Sequence, residues 1–206
     1  MRNKLFLLSL FILSSVFALA QSNKARNILD KTASAIRNAG DISANFAAYS
    51  NSGNMTGTIY IHKSMFYLQS SNVKCWYDGK TLWTYRKNMN EVNITTPTVA
   101  EQQNINPYIF INIYKKGYAY AVKEVSYNGN LCYELTLTAT SSANKIKTML
   151  ILVNKKNYYP LKVKMQRAKN EIEINILSCK TKQKFKESTF KFNQSDFPHA
   201  EVIDLR

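Results

Sequence analysis

The strongest restriction on this chain is a long succession of short segments in which apolar side chains recur at every second residue. Ile42, Ala44, Phe46 and Ala48 alternate with polar neighbours, as do Ile59 and Ile61, then Phe66 and Leu68. A repeat of two is the mark of a half-buried strand. The segments are punctuated by NSGN at 51–54, a break near Ser64, Asp78-Gly79, RKNMN at 86–90 and Asn128-Gly129. Asp-Gly and Asn-Gly between such runs signal tight hairpins. Further on come YAYAVKEV, LCYELTLT, IKTMLILV, LKVKMQR and EIEINIL. TFKFNQSDFP is expected to close the sheet, with AEVIDLR as a tail. The total is about eleven strands, and a meander of that length must curl or close. Its concave face is then apolar. A closed barrel of this width is too wide to be filled by its own side chains, so it encloses a helix, a ligand or both.

Two segments depart from the strand pattern. Residues 23–39 place Ala25, Ile28, Leu29, Thr32, Ala33 and Ile36 at helical spacing, with Ser22 to start the helix and Gly40 to stop it. TPTVAEQQNINPYIFINIYKKG has Pro97 and Pro107 at expected helix starts. Its apolar residues Ile109, Phe110 and Ile113 need an apolar seat, so the segment is expected to act as a helical lid. The reading is therefore mainly β with covering helices around an apolar cavity.

The first twenty residues, MRNKLFLLSLFILSSVFALA, have a basic start, an apolar stretch and an A-x-A end. That is the pattern of an export signal, expected to be cleaved after Ala20. The residue after the cleavage point is Gln21, not a cysteine, and no later segment approaches a membrane span, so no stable membrane anchor is expected. Residues 21–206 are expected to form a single domain. The formal charge is +15, and loss of Arg2 and Lys4 with the signal leaves +13. An exported chain without a nucleic-acid reader motif points to anionic membrane surfaces, acidic partners or plain solubility, not to nucleic acid.

Catalytic signatures are absent. No HExxH, GxSxG or phosphate-cradling glycine loop occurs. The two histidines, His62 and His199, are far apart, and His62 is expected to be an exposed strand position. Cys75, Cys132 and Cys179 are widely spaced without a CxxC, which argues against a metal or redox site; one disulfide is possible, its pairing left open by the sequence, and three unpaired thiols are the expectation. No enzyme activity, metal or cofactor is expected.

Aromatic residues are more informative: thirteen Tyr, ten Phe and two Trp. Both tryptophans lie in CWYDGKTLWTY, residues 75–85. A two-residue turn at Asp78-Gly79 would pair Trp76 with Thr81 and Lys74 with Trp83, leaving the tryptophans diagonal on one face. They are either ordinary core or the wall of an apolar cavity. Cys75 and Leu82 form a competing apolar face on the same hairpin.

The export signal, the first helix, GTIYIHKSMFYLQ, YDGKTLWTY, the proline-bounded apolar helix and the closing TFKFNQSDFP together resemble the periplasmic lipoprotein carriers of the LolA family, and more closely the LolA-like branch of Bacteroidetes-type bacteria. DGKTLW is the most specific segment, and the likeness spans nearly the whole exported chain. The resemblance implies an unclosed antiparallel barrel whose mouth is covered by helices, a cavity that shelters lipoprotein acyl chains, and no cofactor. Phe46, Ile59, Ile61, Phe66, Leu68, Trp76 and Trp83 are the expected residues of the cavity wall, Phe66 and Trp83 falling at family positions, and Ile109, Phe110 and Ile113 fall on the family's lid helix. In the family an Arg-Pro pair follows the strand resembling GTIYIHK, and its Arg holds the lid closed. Here Lys63 and Ser64 take those places, which makes Lys63 the corresponding lid contact.

The function implied is a periplasmic carrier. It would take lipoproteins from an inner-membrane ABC-type releasing complex and pass them to an outer-membrane acceptor. The alternative is a lipid- or lipoprotein-sensing module on the same fold that regulates an envelope partner.

Overall fold

The computed structural model describes residues 21–98, 101 and 113–206. Among them are one α-helix, α1 (21–37), and twelve strands. The strands form one sheet in the order β12-β6-β5-β4-β3-β2-β1-β11-β10-β9-β8-β7, which is not closed into a barrel. The expected number was about eleven. The extra strand is β12 (Glu201–Asp204), which falls in the expected tail and pairs parallel with β6 (Glu91–Thr95). TFKFNQSDFP, expected to be the last strand, instead holds two short 3-10 turns, Glu187–Phe190 and Gln194–Asp196. The chain divides into two compact units.

The first unit, Met1–Ala35 with Tyr114–Glu171, contains most of α1 and β7 (Tyr118–Tyr127), β8 (Asn130–Ala139), β9 (Ile146–Asn154) and β10 (Pro160–Arg167). Asn128 and Gly129 form the two-residue turn read from the sequence, both at positive φ (49° and 73°), with Tyr127 opposite Asn130. Cross-strand rows such as Val122–Leu135–Ile151–Val163 and Leu137–Met149–Met165 make one apolar face. Helix α1 lies on that face. Its stripe of Ala25, Ile28, Leu29, Thr32 and Ala33 is buried. Its rim is pinned by Lys24 to Glu124 at 3.2 Å, by Lys31 over the Tyr158 ring, and by Tyr114, whose hydroxyl donates to Asp30 at 2.6 Å.

The second unit, Ile36–Ile113 with Ile172–Arg206, contains β1 (Asp41–Ser50), β2 (Gly53–His62), β3 (Met65–Ser70), β4 (Val73–Tyr77), β5 (Leu82–Arg86), β6, nearly all of β11 (Glu171–Gln183), and β12. Tight turns link β1 through β6. The β4–β5 link is longer than expected. Asp78 Oδ1 accepts from the backbone N–H groups of Lys80 and Thr81 at 2.9 and 2.7 Å, and Gly79 takes φ 97°. This side-chain turn uses four residues, so Tyr77 pairs with Leu82 and Trp76 directly with Trp83. The tryptophans are therefore opposite one another, not diagonal.

Gly57 is fixed by packing. A Cβ there would lie 2.4 Å from the Gln69 carbonyl oxygen on β3 and 3.1 Å from the Phe46 ring. Because the nearer atom is backbone, relief requires the β2–β3 ladder to move. Gly57→Ala is expected to destabilise the protein by about 1–3 kcal/mol. A fall in the urea midpoint, with unchanged denaturant slope, is the expected result.

Candidate functional site

Register assigns every side chain of the second unit to one of two faces. On one face lie the rows Ile42–Ile61–Phe66–Tyr77–Leu82 and Ala44–Ile59–Leu68–Cys75–Thr84. Phe46 continues this face against Gly57 and Ile176, and Ala48 against Met55 and Ile174. On the other face lie Tyr60, Tyr67, Trp76 and Trp83, side by side in one cross-strand row. Five of the seven expected wall residues, Phe46, Ile59, Ile61, Phe66 and Leu68, thus share a face. Trp76 and Trp83 lie on the opposite one, with Cys75 and Leu82 taking the face the tryptophans leave.

The chain covers part of the tryptophan face itself, burying Trp76 while Tyr60, Tyr67 and Trp83 stay half-buried. Tyr60 stacks on Tyr67, and Tyr67 on Trp76, with ring centroids 5.7 and 5.2 Å apart. The segment after β11 lays four phenylalanines across this ladder. Phe185 meets Tyr60 edge-on, and Phe192 and Phe197 meet Trp76 edge-on. Phe190, fully buried, lies against Phe185 and the His62 ring. Such edge-to-face and offset pairs each add about 0.5–1.5 kcal/mol beyond their buried area.

His62 is half-buried, not exposed as expected. Its Nδ1 lies 2.6 Å from Asp41 Oδ1, while Asp41 Oδ2 accepts the Phe185 backbone N–H at 2.9 Å. One carboxylate therefore ties β2 to the start of the covering segment. The sequence carries Phe190, Phe192 and Phe197 within TFKFNQSDFP, but nothing local assigns them to distant rings.

The aliphatic face differs. Its end row is buried, with Ile42, Ile61, Phe66 and Tyr77 at 5, 5, 4 and 6 % exposure. The next row is open: Ile59, Leu68 and Cys75 are only half-buried, as are Met55, Ile174 and Ile176. A strip of accessible aliphatic side chains therefore borders a packed aromatic end. Cys75 Sγ lies 3.9 Å from Thr84 Oγ1, and burial pushes its thiol above the usual range.

Lys63 is exposed and occupies the β2–β3 turn at φ 53°, beside Ser64. Ile113 is half-buried at the edge of the described residues. Ile109 and Phe110 lie outside the described residues. Before that gap, Thr98 and Glu101 form a reciprocal capping pair. Glu101 Oε2 accepts from the Thr98 N–H at 2.9 Å, and the Glu101 N–H donates to Thr98 Oγ1 at 3.3 Å. This is the signature of a helix start, one residue past the expected Pro97.

Among the described residues no group of three or more His, Cys, Asp or Glu is placed to hold a metal ion. All three cysteines are free thiols. What the second unit offers is area for apolar binding.

Several solved structures share this fold. An uncharacterized conserved protein from Thermus thermophilus aligns with a TM-score of 0.61 and 12% identity, covering 88% of this chain and 99% of its own. The lipoprotein LppX of Mycobacterium tuberculosis aligns with a TM-score of 0.53 and 7% identity, covering 79% and 98%. LprF from Mycobacterium bovis aligns with a TM-score of 0.51 and 7% identity, covering 81% and 97%. No curated protein sequence matches the chain. In sequence, residues 14–169 match the family described as outer membrane lipoprotein carrier protein LolA, and the chain belongs to that family. Its members are binding and carrier proteins, not enzymes.

The Cys75 thiol reports directly on the aliphatic strip. In a Cys179→Ser variant, with Cys132 at 0 % exposure, alkylation reads Cys75 alone. Only the thiolate reacts. The rate is expected to be slow at neutral pH and to keep climbing beyond the pH at which an ordinary thiol levels off. A plateau at the usual thiol range would contradict the burial described for Cys75.

Proposed function

We propose that this protein is a periplasmic carrier that holds the acyl chains of lipoproteins against the aliphatic face of the second unit and delivers them from the inner to the outer membrane. The observation that carries the reading is the half-open strip of Ile59, Leu68, Met55, Ile174 and Ile176 beside buried Phe46, Ile61 and Phe66, in a chain that belongs to the LolA family. Membership of that family supports lipid or lipoprotein binding. The chemistry of the strip agrees, because each methylene removed from water contributes ~0.8 kcal/mol. Eight covered methylenes would then give about 6 kcal/mol without any polar recognition. In this reading Ile109, Phe110 and Ile113 belong to the covering lid, and Lys63 stands at the turn where the family keeps its lid contact. The donor is an inner-membrane ABC-type releasing complex and the recipient an outer-membrane acceptor, with the first twenty residues as a cleaved export signal.

Leu68→Glu places a carboxylate in the strip at a position already half-open, so the sheet can solvate it and stay folded. The variant is expected to keep its β-type circular dichroism and lose binding of a fluorescent fatty acid by at least tenfold. In cells, depletion of the wild-type protein is expected to strand lipoproteins in the inner membrane, and Leu68→Glu should fail to restore sorting. Normal sorting on depletion together with an altered envelope-stress output would instead favour a sensor on the same fold.

A further inference from the structure

The first unit carries a cluster of charge and aromatic rings at one end of its sheet. Tyr133 on β8 and Tyr158 in the β9–β10 turn stack with ring centroids 6.4 Å apart. Three lysines stand over these rings. Lys24 and Lys155 lie 5.9 and 5.0 Å from the Tyr133 centroid, and Lys31 lies 5.3 Å from that of Tyr158. One carboxylate, Glu124, joins two of them, with Lys155 at 2.7 Å and Lys24 at 3.2 Å. These contacts link all six side chains without a break, so they share one surface. The register agrees, because Glu124 pairs with Tyr133 on the face that carries α1. Hydrogen bonds from Lys155 and Lys24 hold the Glu124 carboxyl below its usual range. Asp30, beside Lys31, accepts the Tyr114 hydroxyl, and Lys156 is exposed beside Lys155. Counted together, four lysines stand against two carboxylates, a net charge of +2.

Leu131 completes the surface. It lies two residues before Tyr133 on β8, on the same face, and is 69 % exposed. Its carbonyl accepts the Lys155 N–H at 3.0 Å, and Asn154 Nδ2 donates to Asn130 Oδ1 at 3.2 Å. The β7–β8 and β9–β10 turns are thereby tied together. Tyr158 stands at φ 60°, a conformation that bulky side chains rarely adopt. The turn thus holds a strained tyrosine where its ring meets both Tyr133 and Lys31. Packing of α1 accounts for its buried apolar stripe, but for neither an exposed leucine nor an excess of lysine at the rim.

We propose that Leu131, the stacked Tyr133 and Tyr158 and the lysines around them form a docking surface for an anionic phospholipid membrane. Lysine stems lie along apolar surface while their heads reach headgroup phosphates. Tyrosine, apolar in its body and polar at its tip, suits the boundary between lipid and water. Leu131 supplies a shallow apolar contact. A lipid surface fits better than an acidic protein. A partner of fixed shape is usually met by planar arginine forks, and this cluster is built of lysine. Fluid headgroups need only mobile point charges. The cluster belongs to the first unit and the aliphatic strip to the second, so the inference stands whether or not the strip carries lipoproteins.

The test is co-sedimentation of the purified protein with vesicles of phosphatidylcholine, with and without phosphatidylglycerol. Binding is expected only with phosphatidylglycerol and is expected to weaken steeply with added salt. Each unit charge at the surface contributes about fivefold. Glu124→Gln removes the shared carboxylate and should strengthen binding about fivefold, a gain that a merely structural role would not produce. Replacing Lys24, Lys31 and Lys155 together by Gln should weaken binding about a hundredfold, whereas replacing the same three by Arg should largely preserve it. Replacing Lys80, Lys87 and Lys191 by Gln, the same loss of charge on the second unit, should change it by much less. Leu131→Asn should weaken binding without altering its salt dependence. Fatty-acid binding should be unchanged in all of these variants, which separates this surface from the strip. Equal binding to neutral vesicles, no gain from Glu124→Gln, or equal losses in the two Gln triple variants would overturn the proposal. So would a protein that binds a polyglutamate matrix but no vesicle, which would assign the cluster to an acidic protein.

Discussion

The second unit depends on one constraint: once register is set, each side chain on β1–β6 is committed to one face or the other, and a slip of one residue would exchange them all. The Phe46–Gly57 contact and the Asp78 turn hold that register from within. With it in place, Tyr60, Tyr67 and both tryptophans go to one face, and Ile59, Ile61 and Leu68 go to the other together with Phe46, Phe66 and Tyr77. The chain then treats the two differently. It lays its own last phenylalanines on Tyr60 and Trp76 of the aromatic face, and on the other face it leaves Ile59, Leu68 and Cys75 half-buried.

That asymmetry is what makes a binding reading physical. An apolar surface sealed by the protein contributes stability, while one left partly open stays available to a ligand at the cost of exposure to water. The aromatic face is anchored at three levels: ring against ring from Tyr60 to Trp76, the fully buried Phe190, and the Asp41 carboxylate shared between His62 and the Phe185 N–H. A rigid back of this kind lets the opposite row be open without loosening the sheet. The first unit is held in its own way, by the buried stripe of α1 and its rim of Lys24, Asp30 and Lys31.

Much of this was legible in the sequence because period two and turn dipeptides are local signals. The strands, the Asn128-Gly129 hairpin and the shared face of Phe46, Ile59, Ile61, Phe66 and Leu68 follow from them. The misses have non-local causes. Asp78 used its side chain to widen a turn, which moved Trp76 from Thr81 to Trp83. TFKFNQSDFP alternates like a strand, yet its phenylalanines are called for by aromatic rings far away in sequence. A parallel partner for AEVIDLR could not be read from neighbours, and the burial of His62 depends on Asp41, twenty-one residues earlier. The two sides of CWYDGKTLWTY were ambiguous for the same reason: both are apolar, and only the covering segment decides between them.

The most direct measurement is site-specific photocrosslinking in cells with a benzophenone side chain at position 68 on the aliphatic face or at position 83 on the aromatic face. The account predicts crosslinks to lipoproteins from position 68 and none from position 83. Crosslinks from position 83 but not 68, or from neither, would contradict the assignment of the aliphatic face as the acyl-binding surface.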